Sequence, residues 1–187
     1  MMSAVPAFAD TTSNQGGGVM NFEGSVMDAP CSVDAQSQAL QVKLGDWSTK
    51  KLYKAGEHSE PTLVTINLTG CQFDPDGVPL TGQTQQYLFS KVAITFPDFA
   101  GNGSQDLKNG KIQNTAPDAA KNVVIQLLKG DGSTGVDLTQ SGNTVDKIQL
   151  DGSSKANKLQ FYAQILATGA AEVGGVGAQL AYKLNYF

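Results

Sequence analysis

Three groups of residues in this 187-residue chain are of types that could do chemistry. Cys31 and Cys71 could form a disulfide or bind a metal ion. His58, the only histidine, could act as a general base. Residues 130–135, Gly-Asp-Gly-Ser-Thr-Gly, have the glycine spacing of a dinucleotide-binding loop. Each of these chemistries needs further residues around it, and their presence or absence can be read from the sequence.

The surroundings of the histidine and of the glycine-rich loop do not support catalysis or cofactor binding. A dinucleotide-binding loop must open a helix, but the turn-rich residues 136–142 follow here. We therefore predict that residues 130–135 form a β-turn loop. A catalytic triad needs a nucleophile on a constrained elbow, and the sequence has no such motif for His58. The sequence thus predicts no enzyme activity and no cofactor.

The two cysteines favour a disulfide. They are even in number, and each lies at the edge of a strand-like run. Residues 1–9 end in Ala-Phe-Ala, the small-x-small pattern of a secretion signal, so we interpret them as a signal-peptide remnant and expect export to an oxidising compartment. The charged region and most of the apolar region of such a signal are missing, and an ordinary cytosolic start is the alternative. A metal-binding pair is the alternative reading. Two thiolates and one distant histidine do not match structural zinc spacing, and we predict no metal site.

The charge pattern excludes several kinds of partner. The net charge is −4, and all 13 basic residues are lysines, so the chain has no planar guanidinium groups to grip phosphates. Nucleic acid is therefore not an expected partner. The lysines are spread singly, which argues against a basic membrane-binding face. No stretch of about 18 apolar residues follows residue 9, so no membrane span is expected.

The elements that would position these residues are predicted to be β-strands. Short runs of β-branched and aromatic residues alternate with polar ones, and dipeptides such as Asp-Gly and Asn-Gly separate them. About eight strands without sustained helices indicate an all-β sandwich or barrel. The predicted strands are 19–26 with a bend at Gly24, 40–44, 63–68, 87–96, 123–128, 148–150, 159–166 and 178–187.

The last predicted strand has the clearest alternation. Leu180, Tyr182, Leu184 and Tyr186 fall on every second position, so one face carries large apolar groups. A core strand at the C-terminus is one interpretation. The other is an edge to which another protein adds a strand by backbone hydrogen bonds, with alternate side chains in pockets.

Several motifs together are similar to one known family. Gly18 to Val33 contain alternating apolar residues, then Phe-x-Gly and Ala-Pro-Cys. Residues 42–45 and 66–71 match further stretches, and the chain ends with a glycine fourteenth from the end and a tyrosine next to last. From about residue 10 to residue 187 the chain resembles the pilins of chaperone–usher fimbriae.

The resemblance implies an incomplete immunoglobulin-like β-sandwich that is completed by a donor strand from another subunit. It implies an N-terminal extension, residues 10–22, as the donor strand, and a pilin domain at residues 19–187. It also places Cys71 as the partner of Cys31. The strand that a chaperone or usher recognises would carry Gly174, Leu180, Tyr182, Leu184 and Tyr186.

The donor strand has a preferred register. With Phe22 inward, alternate positions of the extension face the groove of the neighbouring subunit, and only the last two of them are large. The resemblance implies that a small residue in the donor strand leaves one pocket of the groove easy to enter. Gly16 is the candidate for this small residue, and Gly18 is the second choice. A slip by one residue would turn Val19 and Asn21 inward instead. The inward donor residues in the preferred register are Thr12, Asn14, Gly16, Gly18, Met20 and Phe22.

The function implied by the resemblance is that of a structural subunit of an adhesive surface fimbria. The expected location is the cell surface, reached through the periplasm. The expected partners are identical or related pilin subunits, a periplasmic chaperone and an outer-membrane usher. The alternative is a fimbrial tip adaptor or single-domain adhesin that binds a host glycan.

Overall fold

The computed structural model describes residues 19–187, which form short strands joined by long loops. No helix in this part of the chain is long and apolar enough to cross a membrane. Two single-turn helices, α1 (Ala35–Gln38) and α2 (Gln105–Lys108), and a 3₁₀ turn (Gly142–Thr144) are present. The strands are β1 (Ser32–Val33), β2 (Thr62–Thr69), β3 (Lys91–Thr95), β4 (Lys111–Gln113), β5 (Val123–Leu128), β6 (Ile148–Gln149), β7 (Asn157–Ala167) and β8 (Lys183–Tyr186).

The strands form two antiparallel sheets. The larger has the order β1-β2-β7-β5-β4, and the smaller has the order β6-β3-β8. The long strand β7 lies at the centre of the larger sheet, where Thr62 of β2 pairs with Ala163 and Val123 of β5 pairs with Ala167. The smaller sheet is held by β3, in which Val92 pairs with Tyr186 of β8. This two-sheet architecture confirms the predicted all-β fold class.

The core lies between the sheets and follows the period-two pattern of their strands. On β7, Leu159, Phe161 and Ala163 are buried, whereas Lys158 and Gln160 between them are more exposed. The same rule buries Ile66 on β2. Because successive side chains of a strand point to opposite faces, one face of the larger sheet supplies the core.

Several predicted strands are longer than the strands observed, or have no observed counterpart. The prediction for 123–128 is confirmed, and 63–68 and 159–166 lie within β2 and β7. The predicted strands at 19–26 and 40–44 are wrong, because these residues are not paired as strands. Strands β1 and β4 were not predicted.

Three further predicted strands are shortened. The stretch 148–150 yields β6, which lacks residue 150, and the shortening of 87–96 has a local reason. The stretch 87–96 yields only β3, because Phe89 has a positive φ of 53° and Ser90 Oγ turns back to donate to the Tyr87 carbonyl at 2.8 Å. The stretch 178–187 yields only β8. Residues 40–44 and 178–181 make no backbone–backbone hydrogen bonds with any part of residues 19–187.

Candidate strand-binding groove

A large groove opens between the two sheets, with a volume of about 2370 Å³. Its floor is the inner face of the larger sheet, where strands β2, β5 and β7 present aliphatic and aromatic side chains. A groove of this composition favours an apolar occupant. The floor residues are Ile66, Ile125, Leu127, Phe161, Ala163 and Ile165.

The C-terminal segment, residues 174–186, lines the groove along the edge of the smaller sheet. Leu180, Tyr182, Leu184 and Tyr186 are half-buried and pack against the core, as their alternation indicates. Strand β8 pairs only with β3, so its second edge has no strand beside it within residues 19–187. The backbone of this segment therefore offers free hydrogen-bonding groups next to an apolar floor.

A second segment, residues 40–44, also lines the groove and lies beside β2. The Lys43 carbonyl accepts a hydrogen bond from Thr62 Oγ1 at 3.4 Å, and the Leu44 carbonyl accepts one from Trp47 Nε1 at 2.7 Å. Leu40 and Leu44 pack against the core. The groove is thus bordered by two extended segments, 40–44 and 178–181, that make no backbone–backbone hydrogen bonds within residues 19–187. An added strand requires such an arrangement.

The disulfide closes the loop at the rim of the groove. Cys31 and Cys71 are bonded to each other, and their side chains are 4% and 3% exposed. The bond connects the residue before β1 to the loop after β2, and Gln72 N donates to the Pro30 carbonyl at 2.8 Å beside it. The predicted pairing is confirmed.

Removal of the disulfide should destabilise the fold. Replacing both Cys31 and Cys71 with serine frees a loop of 40 residues in the unfolded chain, and we expect a loss of about 2 to 4 kcal/mol in the free energy of unfolding. Thermal denaturation with and without a reducing agent measures this. The reducing agent should lower the melting temperature of the parent protein and leave that of the double variant unchanged. Equal melting temperatures for parent and variant would contradict the prediction.

Two tyrosines anchor the C-terminal segment in different ways. Tyr182 Oη donates to the Ser37 carbonyl at 2.7 Å, which ties this segment to α1. Burial raises the pKa of the Tyr182 hydroxyl. Burial, and then the proximity of Tyr182, raise the pKa of Tyr186. The Tyr186 hydroxyl is buried and has no hydrogen-bond partner among residues 19–187.

Gly174 lies where two backbones approach closely. A Cβ atom built on this residue would lie 2.5 Å from the Asp118 carbonyl oxygen and 2.7 Å from the Ala119 carbonyl carbon. The next residue, Gly175, is hydrogen-bonded to the same loop, donating to Asp118 O and accepting from Ala120 N, both at 2.8 Å. Glycine at position 174 therefore lets the C-terminal segment dock on residues 118–120.

The substitution Gly174→Ala should weaken this docking. We expect a loss of about 1 to 3 kcal/mol in the free energy of unfolding, because the added methyl meets backbone atoms that cannot move independently. Gly177→Ala is the matched control, since its nearest contact would be Ala116 Cβ at 3.7 Å. Urea denaturation of both variants measures the difference. Equal free energies of unfolding for the two variants would show that the close approach of the backbones at Gly174 does not affect stability.

The described part of the predicted donor strand does not pack on its own chain. Met20 and Phe22 are 82% and 88% exposed, and Val19 is equally open. The other four predicted inward residues, Thr12, Asn14, Gly16 and Gly18, lie outside the described residues, as do residues 1–9. The chain therefore exposes apolar side chains ahead of β1, and the same molecule has a groove with an apolar floor.

The remaining candidate residues do not assemble into a catalytic or metal site. His58 is exposed, and its Nδ1 lies 2.8 Å from the Ser59 carbonyl. Within residues 19–187 no group of three or more metal-ligating side chains occurs.

Residues 130–135 form the predicted loop, in which Asp131 accepts hydrogen bonds from Ser133 N and Thr134 N. The hydrogen bond from the Thr134 hydroxyl lowers the pKa of Asp131 most, and the two backbone hydrogen bonds lower it further.

Two buried serines accept hydrogen bonds from strands of the larger sheet, and sequence reasoning missed both. Ser59 is fully buried, and its Oγ accepts from Ile165 N at 2.9 Å, which continues the sheet beyond the start of β2. Ser37 Oγ accepts from Asn67 N at 2.9 Å. A serine in a polar loop carries no pattern that distinguishes such a role, so no signal in the sequence could have found them.

Comparison with known proteins gives consistent results. The family model described as fimbrial protein matches residues 20–186. A fimbrial subunit type 1 from Klebsiella pneumoniae is 31% identical over 185 residues, covering 99% of this chain and 91% of that protein. A type-1 fimbrial protein, A chain, from Escherichia coli is 31% identical over 186 residues, with coverage of 99% and 91%.

Solved structures show the same fold. A subunit in the structure of a chaperone–usher pilus superposes with a TM-score of 0.62 at 22% identity, covering 92% of this chain and 97% of that one. The P pilus rod subunit PapA superposes with a TM-score of 0.59 at 18% identity, covering 85% and 100%. At these identities the likeness establishes the immunoglobulin-like sandwich and no more than the fold.

Proposed function

Because this chain belongs to the fimbrial protein family and is a structural subunit of a surface fimbria, we propose that it polymerises by donating residues 10–22 to the groove of a second copy. The single observation that carries the proposal is the groove itself. It has an apolar floor and two bordering segments, 40–44 and 178–181, that make no backbone–backbone hydrogen bonds within residues 19–187. A strand inserted there would complete the sandwich.

The donor side of the contact is supported by Met20 and Phe22. Both are open to water in the single chain. Full burial of such a side chain contributes about 1.5 to 3 kcal/mol, and each backbone hydrogen bond formed adds about 1 kcal/mol net. A donor between two unpaired segments would form such bonds on both of its edges. The smaller residues before Met20 would add backbone pairing with little side-chain burial.

We further propose that a periplasmic chaperone covers the groove before assembly and that an outer-membrane usher directs the exchange. An uncovered apolar groove with a free strand edge would lead to aggregation. Leu180, Tyr182, Leu184 and Tyr186 already pack inward. The chaperone would therefore bind mainly the free backbone edge of this segment, with its own side chains covering the apolar floor.

The function proposed is wholly structural, with no catalytic step and no cofactor. The fold serves to present a groove at one place and a complementary segment at another. A head-to-tail contact of this kind is heterologous, and it generates an open fibre because the two surfaces differ. Identical or closely related subunits can then add without limit.

We propose that the protein is a subunit of the fibre shaft. Electron microscopy of the bacterial surface with an antibody to this protein tests this shaft role. We expect continuous labelling along the fibres, because each added copy presents the same exposed surface. A strain that lacks the protein should lose both the labelled fibres and the label. Labelling confined to fibre ends would overturn the shaft role and favour a tip subunit.

A further inference from the structure

The chain contains two Asn-Gly dipeptides, which differ in their burial and in their hydrogen bonds. Asn109–Gly110 is held firmly. Gly110 is buried, and its N–H donates to the Leu107 carbonyl at 3.1 Å. The Asn109 side chain donates from Nδ2 to the Gln105 carbonyl at 2.8 Å. Both the glycine nitrogen and the asparagine carboxamide of this pair are therefore engaged.

The second pair, Asn102–Gly103, has the opposite character. Both residues are exposed, and the Gly103 N–H makes no hydrogen bond with any group in residues 19–187. The carboxamide oxygen of Asn102 accepts from Ser104 N at 2.9 Å, which keeps the side chain directed along the following peptide. The backbone before this pair is anchored, since Gly101 N donates to Thr139 O at 2.9 Å and Asn102 N to Phe99 O at 3.0 Å.

We propose that Asn102 is a site of spontaneous covalent modification, in which its side-chain amide is converted to aspartate and isoaspartate. The Gly103 nitrogen attacks Asn102 Cγ and forms a C–N bond while the bond from Cγ to Nδ2 breaks. Ammonia leaves and carries away the proton that Gly103 N loses. Water then opens the five-membered imide at either carbonyl. Opening at the main-chain carbonyl gives isoaspartate, and opening at the side-chain carbonyl gives aspartate.

The free glycine nitrogen explains why Asn102 would react faster than Asn109. The attacking nitrogen must lose its proton and approach the carboxamide, and Gly103 N has no bond to break first. Gly110 N must first release the Leu107 carbonyl and leave a buried position where even a Cβ would meet backbone atoms. Asparagine is a thermolabile residue in proteins generally, so the environment of each asparagine decides which of the two is converted.

The modification adds one negative charge to each copy without altering the strand-binding groove, because Asn102 and Gly103 do not line it. The formal net charge would fall from −4 to about −5 per subunit. Modified subunits would therefore still polymerise. In a fibre built of many copies, the fraction of converted sites would rise with time, so this fraction would be a measure of the age of the fibre.

Peptide mapping of the purified, folded full-length protein tests the proposal. The protein is incubated in water enriched in oxygen-18 at mildly alkaline pH, digested at intervals and analysed by mass spectrometry. We expect oxygen-18 to enter at position 102 at least about fivefold faster than at position 109, the factor that one net backbone hydrogen bond represents. The products at position 102 should separate into aspartate and isoaspartate forms. A rate at position 102 equal to or below that at position 109 would overturn the proposal.

Two controls separate the effect of the fold from that of local sequence. In urea-unfolded protein the two rates should converge, because both glycine nitrogens are then free. A rate difference that persists in urea would show that the fold does not select Asn102. The variant Gly103→Ala should slow conversion at position 102 only, and it is sterically tolerated because a Cβ there would meet nothing within 4 Å. An unchanged rate in this variant would exclude attack by that nitrogen.

Discussion

We expect fibres to be lost when Phe22 is replaced by aspartate. In the proposed register this side chain is buried in the groove of the neighbouring subunit, and Phe22→Asp exchanges apolar burial for a buried charge. Together these changes weaken the contact by at least about 4 kcal/mol, or roughly a thousandfold in affinity. Electron microscopy and the size distribution of assembled protein measure the loss. The subunit itself should fold normally, since Phe22 is 88% exposed within its own chain.

Asn21→Asp is the matched control for this experiment. It places the same charge one residue away, on the face of the donor strand that points out of the groove in the preferred register. Fibres should form normally in this variant. The reverse result, loss with Asn21→Asp and assembly with Phe22→Asp, would show that the donor is shifted by one residue. Normal fibres in both variants would contradict donor insertion altogether.

A peptide of residues 10–22 should stabilise a chain that begins at Glu23 and so lacks its own donor strand. The peptide binds only the folded state, because the groove exists only there. At a peptide concentration about 1,000 times the dissociation constant, the stabilisation is about 4.1 kcal/mol. For a domain of this size that corresponds to a rise of about 8 to 16 °C in the melting temperature.

A peptide of the same length with aspartate at positions 20 and 22 is the control, and it should give no rise. If the truncated chain alone is too unstable for a melting curve, the fraction that refolds from denaturant with and without peptide provides the same comparison. Circular dichroism in the far ultraviolet reports that fraction. A truncated chain that melts cooperatively at high temperature without peptide would show that the sandwich is already complete.

The strand predictions that failed are informative about the groove. Residues 40–44 and 178–181 have strand-like alternation. Leu40, Leu44 and Leu180 pack inward as that alternation indicates, whereas Val42 is 39% exposed. They are nevertheless unpaired in the described part of the chain. Alternation reports which face of an extended segment is buried, whereas strand assignment also needs a neighbouring backbone. Both segments border the same groove, and in the proposed polymer the donor strand would be the neighbour of both.

The sequence by itself determined the all-β class, the disulfide between Cys31 and Cys71 and the inward face of the C-terminal segment. These follow from residue type and from a period of two, both of which are local properties of the chain. The sequence also identified Met20 and Phe22 as the large residues of the predicted donor strand.

Only the tertiary structure decided which groups lie together across long separations. It shows that Gly174 is needed where its backbone meets Asp118, and that the Tyr182 hydroxyl reaches the Ser37 carbonyl. It also shows that Gly103 has a free N–H whereas Gly110 does not. Each of these facts depends on the partner that a backbone or side-chain group finds elsewhere in the fold. No local pattern encodes that partner, because the distance between two residues along the chain does not determine their distance in space.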